Sequence, residues 1–280
     1  MRAERHLVSL DAVRGLAAAA VALPHFFLFR GTSSAPLEYV SVMAVELFFV
    51  LSGVVLAPQL LHCVSTGSFR EVKTFYIRRW MRTLPPYFVA LVGIASLTHN
   101  LWTYDFAAYA LFIRNLAWIK DANDFFAVSW SLAVEEWFYL IFPVFLVLAT
   151  RRMSPLAAGC AFLVIFLLLK IAYAVAFPDA FALGRRVVIL RVDSICFGFL
   201  LSLVLHQPAL RSPAAAAGFA FALVLSFVFW SRGETFGFVY AASIGSAGII
   251  VLATSLERML ASISALASFG AKTSYMVYLA

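Results

Sequence analysis

The chain has 280 residues, of which 64% are hydrophobic and 12% charged, with a net charge of +7 and a mean hydropathy of +0.94. A soluble globular domain averages about 45–50% apolar and about 25% charged residues, so this composition excludes one and makes the bilayer the solvent. Nucleic-acid binding would need a folded basic surface that no polar block supplies, and Cys63, Cys160 and Cys196 are too scattered for a disulfide framework or a metal site.

Apolar runs near the roughly 20 residues that cross a hydrocarbon core of about 30 Å predict spans at 8–29, 41–62, 84–99, 128–149, 155–177, 187–205, 213–230, 236–254 and 262–280. The run 84–99 is short. The run 105–119 is apolar but interrupted by Arg114 and flanked by acids, which suits an interfacial or re-entrant helix more than a crossing. Barrel strands show only about ten residues of alternating pattern, so the fold class is all-α, a polytopic bundle of about nine to ten transmembrane helices. With no repeat, no low-complexity linker and no polar block, residues 1–280 read as a single integral-membrane domain.

Basic residues in the short loops orient the bundle. With a cytoplasmic N-terminus, the inside carries Arg2, Arg5, Arg70, Lys73, Arg78, Arg79, Arg82, Arg151, Arg152, Arg211 and Arg258. The outside then holds only Arg30, Arg114, Lys120, Arg185, Arg186 and Arg232. The positive-inside bias favours that orientation. Asp11 and Arg14 inside the first apolar run, and the length of that run, mark a retained span rather than a signal peptide.

That first span carries the most informative feature. At about 100° per residue, His25 lies about 20° and Asp11 about 60° from the meridian of Arg14. The three form one polar stripe on an apolar rod, and ionisable residues inside a span cost about 2.5 kcal/mol or more and usually face a cavity or pathway. Pro24 removes a backbone N–H, which frees the Ala20 carbonyl as an acceptor beside the imidazole. A histidine there can take a proton from a hydroxyl and pass it on. The alternative is a histidine bonded to a neighbouring helix, with Arg14 reaching for the headgroups.

Further along, AVELFFVLSGVVL places Glu46 and Gly53 on one face with Ser52 beside them, where small residues admit a helix or a ligand to the backbone. The basic loop FREVKTFYIRRWMR sets Arg78, Arg79, Trp80 and Arg82 before Pro85 and Pro86, which pin the entry of the next helix. Guanidinium groups bind phosphate bidentately and never deprotonate, although a topology-setting basic cluster would look the same. In SWSLAVEEWFYLIFP, Ser131, Glu135 and Tyr139 are i, i+4 neighbours, while Glu136 points about 100° away. Glu135 then charge-balances a histidine across the bundle, or the acids sit in the interfacial zone. Arg191 and Asp193 in LRVDSICFGF form a pair at a membrane edge.

These motifs together resemble the membrane acyltransferase 3 family, the bacterial O-acyltransferases of cell-surface and secreted sugars. The resemblance rests on LDAVRGLAAAAVALPHF, ELFFVLSG, IRRWMRTLPPYF, SWSLAVEEWFYLIFP and the closing FGAKTSYMVYLA, and covers essentially the whole chain. It implies a multi-pass protein of the bacterial cytoplasmic membrane that uses acyl-CoA, taken as acetyl-CoA, as co-substrate, with no tightly bound cofactor and no metal. His25 would be catalytic with Arg14 its companion and Asp11 beside them, and Glu135 would match the family's acidic motif residue. Arg79 and Arg82, flanked by Arg78 and Trp80, would meet the donor's phosphates. Glu46, Ser52, Tyr139 and Asp193 are the candidates for the acceptor side. Family members usually continue past the point where this sequence stops, so a C-terminally short member is the expectation.

The expected reaction is acyl transfer to a hydroxyl of a cell-surface or lipid-linked glycan, either directly or through an acyl-histidine. Membrane lipid is the other expected partner. A transporter with these charges as a proton relay is the rival, but inverted repeats and paired broken helices are missing from the sequence. A hybrid stays open, in which the acyl group is handed across the membrane to a separate periplasmic transferase.

Overall fold

The computed structural model describes residues 7–32, 34–118, 124–178, 184–260, 262 and 268–270. Its helices in chain order are α1 (Val8–Phe29), α2 (Ala35–Thr66), α3 (Phe69–Leu97), α4 (Tyr104–Ala110), α5 (Ser129–Ala149), α6 (Pro155–Ala176), α7 (Ser194–Val204), α8 (Pro213–Ser231), α9 (Thr235–Ser255) and α10 (Glu257–Leu260). No strand occurs among the described residues. Six of these helices, α1, α2, α5, α6, α8 and α9, are long and apolar enough to cross a membrane.

Local chemistry sets the helix starts. Ser154 and Ser212 each accept a hydrogen bond from the backbone N–H three residues on, and each is followed by a proline at the first helical position. Ser68 caps α3 by accepting from the Arg70 N–H, and Thr103 caps α4 by accepting from the Phe106 N–H. Gly67, at φ +59°, ends α2, a left-handed position where glycine meets no steric penalty.

Two expectations are corrected. The stretch Phe69–Arg82 is not a loop but the first half of α3, which is 29 residues long and runs through Pro85 and Pro86 instead of starting at them. The carbonyls deprived of helical donors belong to Met81 and Arg82, both at exposed positions. The run 187–205 is not one span: it divides into 3₁₀ turns at Gly184–Arg186 and Val188–Leu190 and then α7. The 11 residues of α7 rise only about 16 Å. Val188 and Ile189 donate their N–H groups to the carbonyls of Asn115 and Leu116 at 2.9 and 3.0 Å, so these donors serve a neighbouring segment rather than a helix ladder. The apolar 105–119 holds only the seven-residue α4, too short to cross. The predicted span 262–280 lies almost wholly outside the described residues.

The chain forms two compact units. One takes α1, the first part of α2 up to Ser52, and the described residues from Leu201 onward, including the α8–α9 hairpin. Val42, Phe238, Val239 and Ala242 make its buried cluster, with Tyr39 and Met43 packed against it. The other unit takes Gly53–Leu200. Its core is aromatic: the Phe142 ring stands 4.7 Å from Phe138, 4.9 Å from Phe162 and 5.1 Å from Phe199. Gly53 of α2 touches the α7 backbone so closely that a Cβ there would lie 2.0 Å from the Ile195 carbonyl oxygen.

Candidate functional site

In the first unit, α1 is tied down at its start. The N–H groups of Val8 and Ser9 donate to the two carboxylate oxygens of Glu257, at 2.8 and 2.9 Å. An anion at this end also suits the helix dipole. Asp11 and Arg14 are half-buried on the first half of α1, and His25, eleven residues beyond Arg14, is exposed. The His25 ring folds back on its own helix, with Nδ1 2.7 Å from the Val21 carbonyl oxygen. Ser41 of α2, itself buried, brings its Oγ to 3.4 Å from the same nitrogen. The acceptor is thus the carbonyl four residues back, not that of Ala20, because a helical side chain leans toward the preceding turn. On α2, Glu46 is fully buried and Ser52 half-buried.

In the second unit, α3 presents a buried stripe of Val72, Phe75, Arg79, Thr83, Tyr87, Leu91 and Ala95. That spacing is a helix face, so the positions of Arg79 and Thr83 follow from α3 starting at Phe69. Arg79, 9% exposed, sits with its guanidinium carbon 6.0 Å from the Phe75 ring and 5.9 Å from the Tyr139 ring. Arg78 and Arg82 are exposed, so burial separates the two arginines that the sequence paired. Trp80 stacks on Tyr76, ring centroids 5.3 Å apart.

The two acids of α5 divide in a way the sequence reading missed. Glu135 is half-buried and accepts a hydrogen bond from Tyr139 at 2.9 Å, the i, i+4 contact its spacing predicted. The Ser131 hydroxyl, one turn before, donates to the Val128 carbonyl at 3.3 Å. Glu136 is the buried acid, and it accepts from the Thr83 hydroxyl of α3 at 2.8 Å. Only an α3 read as helix from Phe69, which puts Thr83 four residues after Arg79, would have signalled that contact.

Asp193 makes an ion pair within the protein. It is fully buried and accepts from the Lys170 ammonium of α6 through both oxygens, at 2.8 and 2.6 Å. Arg191 is buried as well. Lys170 was overlooked, although a lone lysine in the otherwise apolar α6 is itself a signal that an anion waits elsewhere.

The connection between α3 and α5 is strained and heavily cross-linked. His99, Trp102, Phe112 and Asn115 all have φ between +55° and +65°, a region non-glycine residues seldom adopt. Arg114 donates to Asp105 at 2.8 Å and stands 5.7 Å over the Tyr109 ring, while the Tyr109 hydroxyl bonds Asp124. Burial and that carboxylate hold the Tyr109 phenol protonated well above the usual range. Tyr87, Tyr109, Phe112, Asn115 and Trp130 line a small notch here.

A family model described as an acyltransferase domain matches residues 7–280. A Staphylococcus aureus (strain COL) protein provisionally named an O-acetyltransferase is 31% identical over 158 residues, covering 51% of this chain and 25% of the relative. The peptidoglycan O-acetyltransferase OatA of Listeria monocytogenes is 30% identical over 161 residues, covering 51% of this chain and 24% of the relative. An uncharacterized Haemophilus influenzae protein is 26% identical over 151 residues, 48% of this chain and 60% of the relative. The match thus spans about a quarter of the two named relatives' own length. No solved structure matches.

Proposed function

This chain belongs to the acyltransferase 3 family, and on that premise we propose that it transfers an acyl group, acetyl foremost, from acyl-CoA to a hydroxyl of a cell-surface or lipid-linked glycan. The observation that carries the reading is the state of His25: its ring is anchored through one nitrogen to its own helix and yet remains exposed. In the reaction His25 takes the proton of the acceptor hydroxyl, the oxygen attacks the thioester carbonyl, the carbon–sulfur bond breaks, and the leaving thiolate recovers the proton. Arg14 and Asp11 share the helix with that base and set its field.

Arg79 and Arg82 hold the donor's phosphates, Arg82 as the exposed first contact and Arg79 as the deeper one, with Arg78 and Trp80 flanking. Glu46, Ser52 and Tyr139 serve the acceptor side, whereas Asp193, committed to Lys170, belongs to the framework. The first half of α3, which carries Arg78 to Arg82, faces the cytoplasm in this reading, and the membrane is the bacterial cytoplasmic one. Because one relative is named for peptidoglycan, cell-wall polysaccharide leads the acceptors to try.

Reconstituting the full chain in liposomes with labelled acetyl-CoA and a glycan acceptor tests the proposal. A general base contributes about 10²–10⁴-fold, so His25→Ala should cut transfer by that factor while membrane insertion persists. Undiminished transfer by that variant would refute the assignment. Acyl groups crossing the membrane without reaching the glycan would favour a translocator.

A further inference from the structure

We propose that Ser41 and the Val21 carbonyl lock His25 in the tautomer protonated at Nδ1, which makes Nε2 the nitrogen that exchanges protons with the acceptor hydroxyl. The inference rests on His25 acting as the base, but its core is geometric. A carbonyl oxygen can only accept, so the 2.7 Å approach of Nδ1 to the Val21 oxygen places a proton between them. A lone pair on that nitrogen would face the oxygen's lone pairs at the same distance and be repelled. In a neutral imidazole only one nitrogen carries hydrogen, so the lone pair sits on Nε2.

Ser41 completes the arrangement from a different helix. Its Oγ lies 3.4 Å from Nδ1 and the residue is 8% exposed, so it offers a second acceptor on the same side of the ring. Ser41 is therefore a positioning residue: it never meets substrate, and it acts by holding the ring and its tautomer. No other histidine among the described residues has a ring nitrogen hydrogen-bonded to a backbone carbonyl. During turnover the acceptor's O–H proton passes to Nε2, the new ester bond forms as the thioester bond breaks, and the Nε2 proton then goes to the departing thiolate. Nδ1–H stays on the Val21 carbonyl throughout, and that carbonyl disperses the charge of the transient imidazolium.

Histidine ¹⁵N spectra of the full chain in micelles, in alkaline buffer, read the tautomer without any turnover. The His25 signals, assigned by their loss in His25→Gln, should show a pyrrole-like Nδ1 and a pyridine-like Nε2. The opposite pattern would overturn the inference while leaving His25 itself as the candidate base. Ser41→Ala should mix the two patterns and lower kcat about two- to tenfold, the worth of one hydrogen bond, with KM for acetyl-CoA unchanged. Ser41→Thr should restore both. An unmixed spectrum and unchanged kcat in Ser41→Ala would remove Ser41 from the proposal. Full transfer by His25→Gln would sink the acyl-transfer role of the ring whatever its tautomer.

Discussion

Arg79 and Arg82 show how two side chains three residues apart take different work from one helix. Arg79 lies on the buried face with Thr83 and Tyr87, between two aromatic rings, whereas Arg82 is exposed. Arg82→Ala should raise KM for acyl-CoA and leave the unfolding midpoint alone. Arg79→Ala should raise KM and also lower that midpoint, because it strips a cation from beside Glu135 and Glu136. Equal midpoints for the two variants would contradict the division. Asp193 and Lys170 make a stronger case. Removing one partner of a buried pair leaves an uncompensated charge and costs about 3–5 kcal/mol, whereas replacing both with apolar side chains of similar volume is often neutral or better. Asp193→Asn should therefore unfold at markedly lower temperature, and Lys170→Met with Asp193→Leu should recover most of the loss; a double variant worse than the single would refute the framework role.

Among the elements, the crossing of α2 and α7 is the tightest contact, and it concerns backbone rather than side chains. Gly53→Ala would drive a methyl group into the Ile195 carbonyl, and overpacking costs about 1–3 kcal/mol even where neighbours can shift. Gly93, inside α3, has nothing within 4 Å of a built Cβ, so Gly93→Ala should be neutral or stabilising by about 0.5–1 kcal/mol. Thermal unfolding in detergent separates the two, and a Gly53→Ala variant as stable as Gly93→Ala would show the crossing to be loose. Ser154→Ala should cost about 1 kcal/mol by uncapping α6. The lengths of α1, α5, α6, α8 and α9 were legible because each is a local matter of one apolar run and its boundary residues. The start of α3 was not legible: its basic first half reads as a loop by composition, and what makes it a helix is the stripe from Val72 to Ala95 that packs inward.

For the whole molecule, the basic-residue asymmetry sets an orientation that labelling can check. In a background without native cysteines, Thr32→Cys should react with an impermeant maleimide in intact cells, and Met153→Cys only after permeabilisation. The reverse pattern would invert the topology and put the α3 arginines on the wrong side for a cytoplasmic donor. Composition alone determined that this is an all-helical membrane protein, since burying so many apolar residues in water is not an option for 280 residues with 12% charge. The motif order alone pointed to the family, and the helical period alone put Asp11, Arg14 and His25 on one stripe. Tertiary structure decided which acid of α5 is buried, that Lys170 answers Asp193 across 23 positions of sequence, and that Ser41 of α2 meets the His25 ring. Those outcomes depend on what packs against a side chain from another segment, and a one-dimensional pattern carries periodicity but not partners.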